Sequence, residues 1–461
     1  MDKKITKIQE AIIYFFMLIS ILILGIGVLK IELQVVLLIS LFFTVGYSMY
    51  RGYTFEYLLE CMSKSIIKSY EALLIFILIG AIIGSWVLAG TIPSLIYYGL
   101  SILSPKIFLP AGLIICSLTS VVLGTSWGTI STVGIALVGI GEAIGVPMPI
   151  TCGMIVSGAF FGDKISPMSD TTNLVAVTTE TKLHEHISSM LYTTIPAYII
   201  SLLMYAVIGF KYTAININYS NVNLIKETLS SEFNISVITF LPIIIVMVLN
   251  VLKKPTIINM FIGIVVGTLI SIFIQGASLR DSLQVINLGY TNSTNIEIVD
   301  KIILRGGIQS MMYTFSLTFL ALSLGGILSE IGYLKVVIED LLKKIKRIGT
   351  LVTFTILSCI MSNLILSEAY LTIILNANLY KEEYKKRGLR TSMLSRTLEE
   401  GGTLTTGLIP WTTAGAFIGA TLPVTVLDYL PFSFFNLVNI AVSVVFSYLG
   451  IFILRSKKNK I

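Results

Sequence analysis

Apolar residues run along this chain in blocks of roughly 20, about the length a helix needs to cross the hydrocarbon core of a bilayer. Polar residues are confined to short stretches between the blocks. Uninterrupted blocks lie at 11–29, 33–50, 72–89, 187–210, 237–252, 257–274, 313–328 and 431–454, and each predicts a membrane span. Two further blocks, 108–145 and 351–379, have polar, small-residue centres: Gly124-Thr125-Ser126-Trp127-Gly128-Thr129 in the first and 363–372 in the second. Half-length apolar arms about a polar tip predict re-entrant hairpins. Two more blocks are broken rather than folded back. The first, GMIVSGAFFGDKISPMSDTTN at 153–173, starts as an apolar helix, is interrupted at 163–167 and resumes; the second lies at 401–422. Stretch 51–70 sets Arg51, Lys64 and Lys68 against Leu58, Leu59, Ile66 and Ile67, an amphipathic pattern suited to the membrane surface. The remaining stretches 211–233, 275–307 and 381–396 are polar or charged and predict surface loops, and 335–347 is a strongly basic arm.

Composition agrees. The 461 residues are 55% hydrophobic and 12% charged, with a mean hydropathy of +0.90. Soluble domains are about a quarter charged, so a soluble enzyme is excluded and an all-α polytopic membrane protein is expected. The net charge of +7 comes from lysines and arginines in the short loops, a topology signal rather than a nucleic-acid footprint. Cys61, Cys116, Cys152 and Cys359 sit in or beside apolar segments without paired or metal-type spacing and read as core residues. MDKKITKIQE precedes an apolar run with no small-residue cleavage site at its end, so the first span reads as retained.

The two halves resemble each other. CSLTSVVLGTSWGTI at 116–130 aligns with CIMSNLILSEAYLTI at 359–373, an offset of 243 (359 − 116). The same offset places Pro167 on Pro410 and Gly158 on Gly401, matching tip to tip and break to break. Repeats are therefore expected over 1–235 and 236–461. With Lys3, Lys4 and Lys7 inside, every basic cluster falls inside as well: 51–68, Lys182, 253–254, 335–347, 381–396 and 455–460. Each half then has five spans, a re-entrant hairpin and a discontinuous helix. An odd number of spans inverts one half against the other, giving ten spans plus two hairpins. Inverted repeats with broken helices at mid-membrane point to a secondary transporter with its site at the repeat interface.

A transported cation exchanges its water shell for carboxylate, hydroxyl and freed carbonyl oxygens. The first break supplies Asp163, Ser166, Ser169, Asp170, Thr171, Thr172 and Asn173 as cation and proton ligands, with sodium expected at Asp163, Asp170 and Thr171. Substrate contacts are expected from Thr125, Ser126 and Thr129 on the first tip, from Lys164, from Asn363, Ser367 and Glu368 on the second tip, and from Thr403 and Thr412 on the second break. A carboxylate held out of water can exchange a proton for a metal ion, the chemistry that proton-coupled antiport needs. Lys164 either neutralises Asp163 as a buried pair or takes part in coupling. Glu399 and Glu400 are expected at the cytoplasmic start of the second break, capping a helix N-terminus. Trp127, Tyr370 and Trp411 read as packing or gate residues. His184 and His186 are placed in a cytoplasmic turn remote from the site.

Four segments, GTSWGT at 124–129, SGAFFGDKISPMSDTTNL at 157–174, HISSMLYTTIPA at 186–197 and LSRTLEEGGTLTTGLIPW at 394–411, occur in the order seen in the NhaC-type sodium/proton antiporter family, which the whole chain resembles. The resemblance implies a bacterial cytoplasmic-membrane antiporter with both termini inside, in which a mobile domain carrying the hairpins moves past a scaffold. Its partners would be the lipid bilayer, Na+ and H+, with no cofactor beyond the transported ions, no nucleic acid, and a homodimer as the candidate assembly. The chain departs from the family pattern at Glu368-Ala369, Thr412 and Glu399-Glu400-Gly401-Gly402. That leaves open a sodium- or proton-coupled exchange of an organic acid or amino acid.

Overall fold

The computed structural model describes residues 8–102, 105–213, 219–252, 254–343 and 345–456. Lys3, Lys4, Lys7, Lys253, Lys344, Lys457, Lys458 and Lys460, which take part in the orientation argument, lie outside the described residues. Among those described there is no sheet, only one isolated bridge between Leu389 and Arg455. Among the described residues, eight helices are long and apolar enough to cross a membrane, or up to ten if each of two bent helix pairs is one span. The chain is a multi-pass helical membrane protein.

Ile8–Val28, Leu33–Tyr50, Tyr70–Leu88, Leu183–Lys211, Thr256–Phe273 and Ile308–Ile331 form where hydropathy places them. The amphipathic stretch becomes helix Phe55–Lys68, started by the Thr54 side chain accepting from the Tyr57 amide and burying Leu58, Cys61 and Ser65. Three expected loops are instead largely helical. Tyr219–Glu232 buries Ile225 and Leu229, and Glu297–Ile303 buries Val299, Ile302 and Ile303, so a few apolar residues at helical spacing outweigh many polar ones. At 381–396, helix Ala369–Lys386 runs on through its charged end, where Arg387 and Glu383 pair at 2.7 Å, and Thr391–Leu398 begins another. The tips differ too. The arms before them, Pro105–Leu123 and Ile348–Leu366, have 19 residues each, about 28 Å of helix, rather than half a span.

The 243-residue offset reappears in the element boundaries. Helices end at Leu123 and Leu366, resume at Ser126 and Ala369, and after the breaks run over Asp170–Thr178 and Thr413–Thr421. Each tip is a left-handed residue, Gly124 (φ 67°) or Ser367 (φ 60°), followed by a side-chain cap, Thr125 or Glu368. Packing repeats as well. A Cβ on Gly158 would lie 2.6 Å from Cys116 Cβ, and one on Gly401 would lie 2.9 Å from Cys359 Cβ. Small residues thus let each broken helix approach the arm before its tip. The halves interlock: Tyr70–Leu88 packs on Thr256–Phe273, with Trp86 Nε1 donating to Gly263 O at 3.1 Å. Its counterpart Met312–Ile331 packs on Leu33–Tyr50 and Phe55–Lys68.

Candidate functional site

Both tips and both breaks meet at one cavity of about 700 Å³. Gly124 to Gly128 line it from the first tip, Asp163, Pro167, Asp170, Thr171 and Asn173 from the first break, Glu368 to Tyr370 from the second tip, and Thr403, Thr406 and Thr413 from the second break. Four helices therefore start at its wall, each capped by a side chain: Thr125 accepts from Gly128 N, Ser169 from Thr172 N, Glu368 from Tyr370 N and Thr412 from Gly415 N. Trp127 stacks between Phe76 (5.8 Å) and Phe417 (4.5 Å), joining the halves at the cavity. Lys68, Glu71, Leu183, Asn250 and Lys254 also line the cavity.

The first break follows from Pro167. The residue before a proline is pushed out of the helical region, and Ser166 accordingly caps Met148–Ile165 in an extended conformation. Asp163, in the last turn, is 4% exposed; its Oδ2 accepts from Ser126 Oγ at 2.7 Å, and its Oδ1 is buried with no partner. Asp170, by contrast, is exposed, accepts from the Thr171 amide at 2.8 Å and receives the Tyr370 hydroxyl. The other residues of the break mostly hold its shape. Ser166 Oγ donates to Val121 O (2.8 Å), Asn173 Nδ2 to Pro167 O (3.1 Å) and Ser169 O (2.6 Å), and Thr172 Oγ1 to Lys164 O (3.2 Å). Ser169 and Thr171 hydroxyls bond at 3.0 Å.

Several expected substrate contacts point elsewhere. Thr129 donates to Thr125 O, and Ser367 supplies the left-handed turn. Asn363 donates to Gly402 O (2.7 Å) and Thr405 Oγ1 (2.8 Å), and Thr412 is a cap; none of these four lines the cavity. Lys164 faces away from Asp163, fully buried, with its ammonium 2.8 Å from Asn439 Oδ1 and 3.9 Å from Glu400 Oε1. The helix displays consecutive residues about 100° apart, which separates the two side chains. Trp411 donates to Leu364 O and packs.

Glu399 and Glu400 are not caps. Both are fully buried in the π-helical turn Glu399–Thr403. Glu400 accepts from Thr193 Oγ1 (2.5 Å) and from Ser443 Oγ. His184 is exposed, but His186 turns inward, fully buried, with Nδ1 2.8 Å from Ser395 Oγ and Nε2 4.0 Å from Glu399 Oε1. Sequence reasoning missed this cluster because two acids beside a basic stretch read as caps at the cytoplasmic start of the second break. The offset held the signal: it places Glu399 on Val156 and Glu400 on Ser157, in the middle of a buried helix.

Residues 158–451 match the Na+/H+ antiporter family. The chain is 34% identical over 460 residues to the malate-2H+/Na+-lactate antiporter of Bacillus subtilis, covering 100% of this chain and 98% of that one. It is 36% identical over 452 residues to the Na+/H+ antiporter NhaC of Alkalihalophilus pseudofirmus, covering 98% and 97%. With the arginine/ornithine antiporter ArcD of Halobacterium salinarum it shares 33% over 436 residues, covering 94% and 90%. On the family match and these near-full-length similarities, this chain belongs to the NhaC-type Na+/H+ antiporter family.

Proposed function

We propose that this chain is a sodium/proton antiporter working by alternating access, with residues 1–235 and 236–461 as inverted repeats of five spans, each bearing a re-entrant hairpin and a discontinuous helix. The observation that carries the reading is the buried, unpartnered Asp163 Oδ1 at the wall of a cavity formed by both tips and both breaks. Sodium binds at Asp163, Asp170 and Thr171, the residues of the first break that carry acid or hydroxyl oxygens to that wall. No cofactor takes part. With basic clusters inside, Lys68, Lys254 and Leu183 mark the cytoplasmic end of the cavity, so this conformation is open to the inside of a bacterial cell membrane and both termini lie there. A domain built from the hairpins and breaks would carry the site across. The test is reconstitution: an imposed sodium gradient should drive a change in internal pH of proteoliposomes. No pH change from an active preparation refutes the reading.

A second reading adds an organic carboxylate as cargo. It is favoured by the cavity's volume of about 700 Å³, far more than a bare ion fills, and by the four capped helix N-termini around it. Helix N-termini stabilise anions. Relatives named for malate, lactate, arginine and ornithine exchange are as similar to this chain as those named for sodium and protons. Counterflow of labelled organic acids and amino acids into loaded proteoliposomes separates the two readings: uptake of one supports the second, and uptake of none leaves only ion exchange.

A further inference from the structure

Glu399 does not line the cavity, and although the Thr403 and Thr172 hydroxyls lie beside it, neither is placed to bond it. It is 0% exposed, and neither carboxylate oxygen has a hydrogen-bond partner among the described residues. Two nearby groups are unpartnered in the same way, His186 Nε2 at 4.0 Å and the Thr403 hydroxyl, which also reaches the cavity wall. Its neighbour Glu400 is the opposite case, with two hydroxyl donors and the Lys164 ammonium. The charged and titratable groups facing Glu399 are Lys164 and Asp163 from the first break, His186 from the span after it, Arg396 and Glu400 on its own segment, and Cys359 across Gly401. A bare carboxylate so deeply buried would be an uncompensated charge, and such groups are neutralised instead. Lys164 is already engaged by Asn439 and lies nearer to Glu400.

We infer that Glu399 is the proton carrier of the antiport, on a site separate from the cation site at Asp163, with Lys164 linking the two. The inference rests on the antiport reading and deepens it. In the conformation described, Glu399 is the neutral acid. To complete a cycle its O–H bond breaks, the proton leaves to one side of the membrane, and the carboxylate left behind is met by the Lys164 ammonium until a proton from the other side re-forms the acid. The cation crosses in the opposite sense at Asp163. The link is covalent and short: Lys164 follows Asp163 on the same last turn, and Thr172 Oγ1 holds the Lys164 carbonyl at 3.2 Å. Any shift of the break on cation binding at Asp163 therefore moves the ammonium relative to Glu399 and Glu400.

The test compares wild type, Glu399→Gln and Glu399→Asp in proteoliposomes, each first checked for folding by thermal unfolding in detergent. Two rates are read: sodium-driven proton movement, and radioactive sodium self-exchange at equal pH on both sides, which needs no net proton transfer. For Glu399→Gln we expect proton movement to fall by about two orders of magnitude, while self-exchange persists and loses its pH dependence. Glu399→Asp should retain coupling with a displaced pH profile. Unchanged coupling in Glu399→Gln overturns the inference. So does loss of self-exchange together with coupling in a folded protein, which would make Glu399 a cation ligand. If Glu399→Gln does not fold, a Glu399→Asp profile identical to wild type overturns it. Absence of sodium-driven proton movement in wild type would instead refute the antiport reading.

Discussion

Lys164→Met removes an ammonium that is fully buried between two halves of the chain, and the structure sets what that should cost. Its Nζ lies 3.9 Å from Glu400 Oε1, where two unit charges attract by about 4 kcal/mol at an effective dielectric of about 20. Desolvation opposes much of that attraction, but it does so for the charge left behind as well. Breaking a buried pair by deleting one member typically costs about 3–5 kcal/mol. Glu400 keeps hydroxyl donors on both oxygens, from Thr193 and Ser443, so the lower end, about 3 kcal/mol, is expected here. Methionine keeps the unbranched volume and leaves little cavity. The decisive comparison is the double variant Lys164→Met/Glu400→Gln. Glutamine can still accept from one hydroxyl and carries no charge, so about 2 kcal/mol should return. Chemical or thermal unfolding in detergent, run as a double-mutant cycle, reads both values. A double variant no more stable than Lys164→Met would refute the claim that the uncompensated Glu400 charge is the source of the loss.

Asp163→Asn and Asp170→Asn should each abolish sodium-driven proton movement in proteoliposomes while the protein still inserts, and full activity in both would remove the proposed cation site. Topology is tested on a background lacking the four buried cysteines: a cysteine at exposed Ser231 should label from outside, and cysteines at Lys335 and Lys385 only after permeabilisation. Labelling of all three from one side would refute the inverted arrangement. Gly162→Ala would place a Cβ 2.4 Å from Ser117 O and 2.5 Å from Ser120 Cβ, so it should destabilise by about 1–3 kcal/mol. Gly419→Ala, whose nearest neighbour would be Val426 at 3.7 Å, should be tolerated in the same unfolding assay.

What hydropathy and punctuation control was legible in the sequence. Spans such as Tyr70–Leu88 need only length and greasiness, and the first break needs only Pro167 after an apolar helix. The matched offset foretold which helices share boundaries, because capping and turn residues act locally: Gly124 and Ser367 end their helices by backbone conformation, and Thr125 and Glu368 start the next ones. Partner choice was not legible. Lys164 pairs with a residue 236 positions away (400 − 164) rather than with adjacent Asp163, because helical geometry turns neighbours apart. His186 looked like a turn residue for the same reason: its hydrogen-bond partner Ser395 and its neighbour Glu399 lie more than 200 positions on. Helix Tyr219–Glu232 was lost among asparagines and serines because Ile225 and Leu229 bury it, while the intervening positions stay polar.

The 243-residue offset carries over in helix boundaries and not in chemistry. The offset maps Asp163 onto Thr406 and Lys164 onto Gly407, while Glu399 and Glu400 map onto Val156 and Ser157. At these four positions a charge in one half maps onto a neutral residue in the other. Across the halves, Lys164 meets Glu400, Asp170 meets the Tyr370 hydroxyl, and Glu180 meets Lys381. A perfectly symmetric protein would present equivalent sites to both sides and would have no reason to treat a cation and a proton differently. Here Asp163 of the first half lines the cavity with an unpartnered oxygen, while Glu399 of the second half is buried away from it. In the proposed cycle, changing the side to which the cavity opens must also change which of these two acids reaches water, so that one ion binds only after the other has left.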